Sequence, residues 1–204
     1  MVVVAAAVAL LAAAMGGARE RPGRLAPPET PEARMEAPLP AGAPPATLDA
    51  RIDVGEYTTR YDFPRLDLHL SRSDSHLHAA VRAHTAGWVA VGVGSYLMDG
   101  ARIMFGYVDA GTPVFVEQVG VDHEHIDTDD PLQAEAALSE QRDPRGRAQT
   151  LLEVPIPWSA VAPLVRNASR LPLIVAYGTD DSVTQIHRFN RSVLALLRSG
   201  DRAR

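Results

Sequence analysis

Apolar and polar residues alternate in Leu77-His78-Ala79-Ala80-Val81-Arg82-Ala83-His84. Successive side chains of a β-strand point to opposite faces, so the odd-numbered residues form one apolar face. His78, Arg82 and His84 lie on the other face. The pattern predicts a half-buried antiparallel strand.

Similar short runs recur on both sides of this stretch, and polar clusters such as Ser71-Arg72-Ser73-Asp74 separate them. The predicted strands cover residues 66–70, 77–84, 88–94, 102–109, 113–121, 150–156 and 171–177. Regularly spaced short strands predict an all-β fold, an Ig-like antiparallel β-sandwich. We expect residues 131–147 to form a loop with one helical turn, and residues 161–164 to form another short turn.

The N-terminal part has a different composition. Residues 2–15 are uncharged and apolar, and small residues follow up to Ala18, which predicts a signal peptide over 1–18 and export to the periplasm or cell exterior. Residues 19–46 hold eight of the sixteen prolines, which favours a disordered linker. The folded domain is predicted over 47–198, with a short tail over 199–204.

Composition limits the function. A chain of 204 residues, of which 46% are hydrophobic, can bury one core. It has no Cys, which excludes disulfides, thiolate metal sites and covalent haem attachment. Its formal net charge of -5 argues against a nucleic-acid partner. The motifs of serine hydrolases, phosphate-binding loops and zinc proteases are missing from the sequence, so we predict no catalytic residues and no enzyme activity.

Two separated residues suggest a cofactor. Met98 follows the strand that begins at Trp88, and His187 lies near the C-terminus. A thioether and an imidazole are the axial pair of many electron-transfer haems. Each residue also has an ordinary role, Met as a flexible core residue and His as a surface or hydrogen-bonded residue.

The sequence from about residue 48 to residue 197 resembles a DOMON domain, the β-sandwich found in dopamine β-hydroxylase relatives and in the cytochrome part of cellobiose dehydrogenase. The matching pieces are Asp53-Val54-Gly55-Glu56-Tyr57, Ala83-His84-Thr85-Ala86-Gly87-Trp88-Val89-Ala90-Val91-Gly92, Met98-Asp99-Gly100-Ala101, Ala176-Tyr177-Gly178 and His187-Arg188-Phe189-Asn190-Arg191-Ser192. DOMON domains bind either haem or sugars. The resemblance implies haem b held by Met98 and His187, and electron transfer with a redox partner protein in solution or in a membrane.

Other residues are candidates for the surroundings of such a haem. Apolar walls are expected from Tyr96, Phe105, Tyr107 and Phe189, and Arg188 is the candidate for pairing with a propionate. These residue types also occur in any core or solvated surface.

Two alternatives stay open. His123 and His125 flank Glu124 in an acidic segment, and two such histidines on a strand suit zinc or copper, although a solvated acidic loop has the same composition. Trp88 and Trp158 are candidates for stacking on a sugar, which would make the chain a carbohydrate or surface-interaction module. Trp88, however, lies in an apolar run that predicts burial.

Overall fold

The computed structural model describes residues 35–122, 124–132, 134–167, 169–184 and 187–197. The strands in these residues are β1 (Met35–Leu39), β2 (Thr59–Phe63), β3 (Leu66–Arg72), β4 (His76–Ala83), β5 (Val89–Val93), β6 (Arg102–Asp109), β7 (Thr112–Val121), β8 (Glu124–Asp127), β9 (Ala137–Arg142), β10 (Ala148–Pro157), β11 (Arg170–Tyr177) and β12 (Phe189–Leu197). A short helix, α1 (Trp158–Val161), continues into a 3₁₀ turn, Ala162–Leu164. The short turn predicted at 161–164 is therefore confirmed.

The strands form two sheets. The larger sheet has seven strands in the order β1-β12-β11-β5-β6-β7-β8, and the smaller has five in the order β2-β3-β4-β10-β9. Neighbouring strands are antiparallel, except that β1 runs parallel to β12. The predicted all-β sandwich is confirmed.

The main core lies between the sheets. On β4 the apolar face predicted from the sequence is buried, since Leu77, Ala79, Val81 and Ala83 are each at most 1% exposed. Residues from the other sheet, including Val91, Met104 and Val175, belong to the same core. The alternation visible in the sequence therefore reports the direction of the core.

A second apolar cluster lies on the other face of the seven-stranded sheet, because strand residues alternate between faces and Met104 faces the main core. We call it the outer cluster. Its buried members are Trp88, Ala90, Ala101, Ile103 and Phe105, and its partly buried members are Met98, Tyr107, Val116, Ile174, Ala176 and Val183.

The expectation of a loop over residues 131–147 is wrong in one part, because β9 pairs with β10 along its whole length. Leu138 of β9 packs so closely on β6 that a Cβ on Gly106 would lie 2.3 Å from its side chain. Tertiary packing thus decides the conformation of a segment whose composition favoured a loop.

The predicted linker also contains a strand. Met35–Leu39 pairs with β12, and Leu39 is fully buried. Pro38 is accommodated because β1 is an edge strand, where a missing N–H does not break a sheet. The predicted signal peptide, most of the linker and the tail lie outside the described residues. Among the described residues, no helix is long and apolar enough to cross a membrane.

Candidate ligand-binding face

The aromatic centre of the outer cluster is Trp88 with Phe105. Their rings meet edge to face with centroids 5.3 Å apart, and both residues are 3% exposed. Trp88 also lies directly on the backbone of Gly178, where a Cβ would be 2.2 Å from the indole Nε1. The indole Nε1 is buried without a hydrogen-bond partner. The cluster therefore contains an unused donor within an apolar surface.

The loop between β5 and β6 places Met98 over this cluster. The Gly100 N–H donates to the Gly120 carbonyl at 2.9 Å, and the Gly120 N–H donates to the Ala101 carbonyl at 2.9 Å. A Cβ on Gly120 would lie 1.7 Å from the Met98 carbonyl oxygen. Only a glycine allows this approach, so β7 fixes the backbone of Met98 against the sheet.

His125 lies on the same face as Met98. It pairs with Gly120 across β7 and β8, and its ring centroid is 4.9 Å from that of Phe105. Its Nδ1 is hydrogen-bonded to the Gln118 side chain. Burial lowers its pKa, while a hydrogen bond with the Val183 backbone and the Glu124 charge act in the opposite direction. The imidazole is therefore neutral near pH 7, which is the form that binds metals.

His187 is placed differently. It is exposed and lies two residues before β12 begins. Burial of part of its ring lowers its pKa. Among the described residues, no hydrogen bond or ring contact joins His187 to the outer cluster.

The other predicted pocket residues divide between the two faces. Phe105 and Tyr107 belong to the outer cluster. Tyr96 lies on the loop that carries Met98, and its carbonyl accepts a hydrogen bond from the Ser192 hydroxyl at 2.5 Å. Phe189 packs on the main core and stacks on Tyr177 with centroids 5.6 Å apart, and Arg188 is exposed. The structure therefore brings Met98, Phe105 and Tyr107 together, but not Phe189.

The alternative sites receive little support. His123 lies outside the described residues, and the described residues contain no group of three His, Asp or Glu arranged to hold a metal ion. Trp158 is 8% exposed, with the Arg72 guanidinium 3.9 Å from its ring centroid. Because Trp88 is also buried, neither indole presents a face on which a sugar could stack.

The donor set of the outer cluster suits haem iron. A thioether and a neutral imidazole border one apolar surface, and both are axial ligands of known cytochromes. The outer cluster is covered, however, because Met98 of the loop after β5 and Val183 pack onto it, which leaves no open cavity for a haem. Two small depressions are lined by other residues, such as Asp67 and Arg82 in one and Tyr57 and Glu153 in the other. A haem would therefore have to separate the loop from the sheet.

Comparison with known proteins gives structural similarities only. No protein-family model matches the chain, and no curated protein sequence matches it. The cytochrome b domain of pyranose dehydrogenase from Coprinopsis cinerea is 12% identical with a TM-score of 0.46, over 63% of this chain and 75% of that domain. The cytochrome domain of Myriococcum thermophilum cellobiose dehydrogenase is 9% identical with a TM-score of 0.45, over 69% of this chain and 81% of that domain.

A carbohydrate-binding module of family 9 from Caldicellulosiruptor kristjanssonii, solved with cellotriose, is similar to the same degree. It is 10% identical with a TM-score of 0.44, over 83% of this chain and 96% of that module. The structural neighbours thus include the cytochrome part of a cellobiose dehydrogenase, the protein part that the sequence resembles. The similarity does not extend to a ligand, since these neighbours include both cytochrome domains and a sugar-binding module.

Proposed function

We propose that this chain is an exported, non-enzymatic DOMON-like module that binds haem b without a covalent bond and transfers single electrons to or from a redox partner protein. One observation carries the proposal: Met98 and an imidazole border the same apolar face of the seven-stranded sheet. The imidazole at this face is that of His125, whereas the sequence resemblance names His187 as the ligand.

Met98 and an imidazole would hold the haem, which would supply one-electron redox chemistry. The chain's own residues would provide the rest of the function. Met98 would favour ferrous iron, because a thioether is a weak donor to ferric iron. Phe105 and Trp88 would exclude water from one face of the bound group.

The test uses two methionine variants of the full chain. Met98→Leu keeps the apolar volume and removes the sulfur, whereas Met104→Leu makes the same change in the main core, where Met104 is fully buried. Visible spectra are recorded after haem titration in oxidised and reduced samples. We expect stoichiometric uptake and a six-coordinate low-spin spectrum in the wild-type chain and in Met104→Leu, and loss of six-coordination in Met98→Leu.

Failure of the wild-type chain to take up haem would refute the proposal. Identical low-spin spectra for both variants would show that Met98 is not a ligand. A titration with cello-oligosaccharides would then test the sugar alternative.

A further inference from the structure

We propose that the open edge of β8 binds an extended segment of a partner protein in which basic and apolar residues alternate. β8 (Glu124–Asp127) is the last strand of the seven-stranded sheet, so one side of its backbone has no neighbouring strand. An open edge presents N–H and C=O groups to which another extended chain can add as a further strand. The proposal concerns this edge alone and does not depend on haem.

Three apolar side chains next to this edge, Val119, Val121 and Ile126, lie outside both apolar clusters of the described residues. They are on the side of the sheet that faces the main core, because Glu117 pairs with Met104, alternate residues share a side, and Ile126 pairs with Val119. The smaller sheet ends at β9, which packs on β6 and β7. Val121 and Ile126 are therefore uncovered, with exposed fractions of 41% and 48%.

The segment that contains β8 is strongly acidic. Residues 117–130 contain six Asp or Glu and no Arg or Lys, a net charge of -6, whereas the rest of the chain has 20 Arg and 19 Asp or Glu. Arg102 of β6 contacts two of these carboxylates, those of Glu117 and Asp130. Among the described residues, Glu124 and Asp127 of β8 form no ion pair with a basic side chain. Both carboxylates therefore attract a cationic partner.

The alternation along β8 determines the pattern of the partner. Ile126 and Glu124 lie on the core side of the sheet, whereas His125 and Asp127 lie on the opposite side, where His125 contacts Phe105 of the outer cluster. A strand added to β8 would place an apolar residue beside Ile126 and a basic residue beside Asp127. A sequence in which Arg and Val alternate supplies both contacts.

A second copy of this chain does not suit the edge. Antiparallel pairing of two β8 strands would bring Glu124 and Asp127 of one copy close to those of the other, and like charges that face each other across strands destabilise the pair. Charged residues on edge strands commonly prevent such association between copies. A basic segment turns the same charges into attraction, while Val121 and Ile126 provide apolar area to bury.

The experiment uses the full chain without haem and a fluorescent peptide, (Arg-Val)4, whose binding is measured by fluorescence anisotropy. Ile126→Glu is compared with Val54→Glu, because Val54 is an exposed apolar residue in a turn before β2. Both variants gain one negative charge, so attraction by charge alone would strengthen in both. Docking on β8 instead predicts that Ile126→Glu weakens binding by about tenfold and that Val54→Glu does not.

A second variant, Ile126→Thr, keeps the β-branched shape and the charge of the chain, so it should retain the fold and still weaken binding. The peptide (Arg-Ser)4 has the same charge as (Arg-Val)4 and should bind less tightly, because it buries less apolar surface. Hydrogen exchange of the β8 amides should slow when (Arg-Val)4 is bound. Equal affinities of the wild-type chain, Ile126→Glu and Ile126→Thr, or no binding by the wild-type chain, would overturn the proposal. Neither result affects the proposed haem function, because haem is absent from the assay.

Discussion

The outer faces of the two sheets differ in chemistry although both are covered by loops. On the seven-stranded sheet the face is apolar, with Trp88 and Phe105 at its centre. On the five-stranded sheet the covered face is polar and contains Glu153, which is 1% exposed, and His69 and His78, which are each 7% exposed. Buried polar groups need directed hydrogen bonds, so they hold the covering loop in one position. Apolar contacts have no such directional requirement, so an apolar face can pack against a ligand in place of its loop.

The polar face holds its covering segment through directed bonds. The Glu153 carboxylate accepts a hydrogen bond from the Tyr57 hydroxyl at 2.7 Å and from the N–H groups of Asp49 and Arg51 at 3.3 and 3.2 Å. Burial raises the pKa of Glu153. The apolar face holds the Met98 loop by close packing on Gly120 and by backbone hydrogen bonds with Gly120, and the side chains it buries there are apolar. We therefore expect the polar face to serve stability and the apolar face to serve binding.

The largest effect is expected from Glu153→Leu. This substitution leaves the Tyr57 hydroxyl and the N–H groups of Asp49 and Arg51 without their acceptor, and an unsatisfied group costs about 1–3 kcal/mol when it is fully buried. Because these donors are only partly buried, the free energy of unfolding should fall by about 3 kcal/mol in total. Urea denaturation measures it, with Glu140→Leu at an exposed position of β9 as the control. A loss below about 1 kcal/mol would show that Glu153 does not hold the segment.

A smaller loss is expected from Gly120→Ala. The added methyl would overlap the Met98 carbonyl, so the loop after β5 must shift, and such overpacking costs about 1–3 kcal/mol. Gly146→Ala is the control: its φ of 76° is strained for Ala, but no atom lies within 4 Å of the added Cβ. A loss at position 120 no larger than that of Gly146→Ala would mean that the overlap with the Met98 carbonyl costs no more than the φ strain at position 146.

The smallest effect is a pH dependence of stability that arises on the polar face. Burial lowers the pKa of His69 from its usual 6.5 to about 4, with Arg82 and Arg60 adding to the shift and Asp67 and Asp62 opposing it. Burial also lowers the pKa of His78, with His76 adding to the shift and Glu56 opposing it. Because the unfolded chain binds these protons more readily, stability is fully present above about pH 6.5 and is lost as pH falls towards 4.

The raised pKa of Glu153 acts in the opposite direction, since the folded state then binds a proton more readily than the unfolded state does. The net loss should therefore stay below about 3 kcal/mol. Melting temperatures between pH 7 and pH 4 measure it, and His69→Gln should flatten the profile. An unchanged profile in that variant would place the pH dependence elsewhere, for example at His125.

The predictable part of the fold rests on local alternation. Period two in residues 77–84 identifies β4 and its buried face, and the same signal identifies β5, β6, β7, β10 and β11. Five strands were not predicted, namely β1, β2, β8, β9 and β12. Met35–Leu39 contains Pro38 and lies in a Pro-rich segment, and Ala137–Arg142 follows helix-forming residues. Both are edge strands whose conformation depends on a partner that is remote in sequence.

The sequence by itself determined the class of fold, because the strands show alternation of apolar and polar residues. It also excluded covalent haem attachment, because the chain has no Cys, and it identified Met98 as a candidate ligand from its residue type and place in the chain. The tertiary structure decided which residues share a face. His125 and Met98 are 27 positions apart, and only the pairing of β7 with β8 and the loop contact at Gly120 bring them to one surface. A distance of this kind is set by strand register, which a single sequence reports only where one face of the strand is clearly apolar.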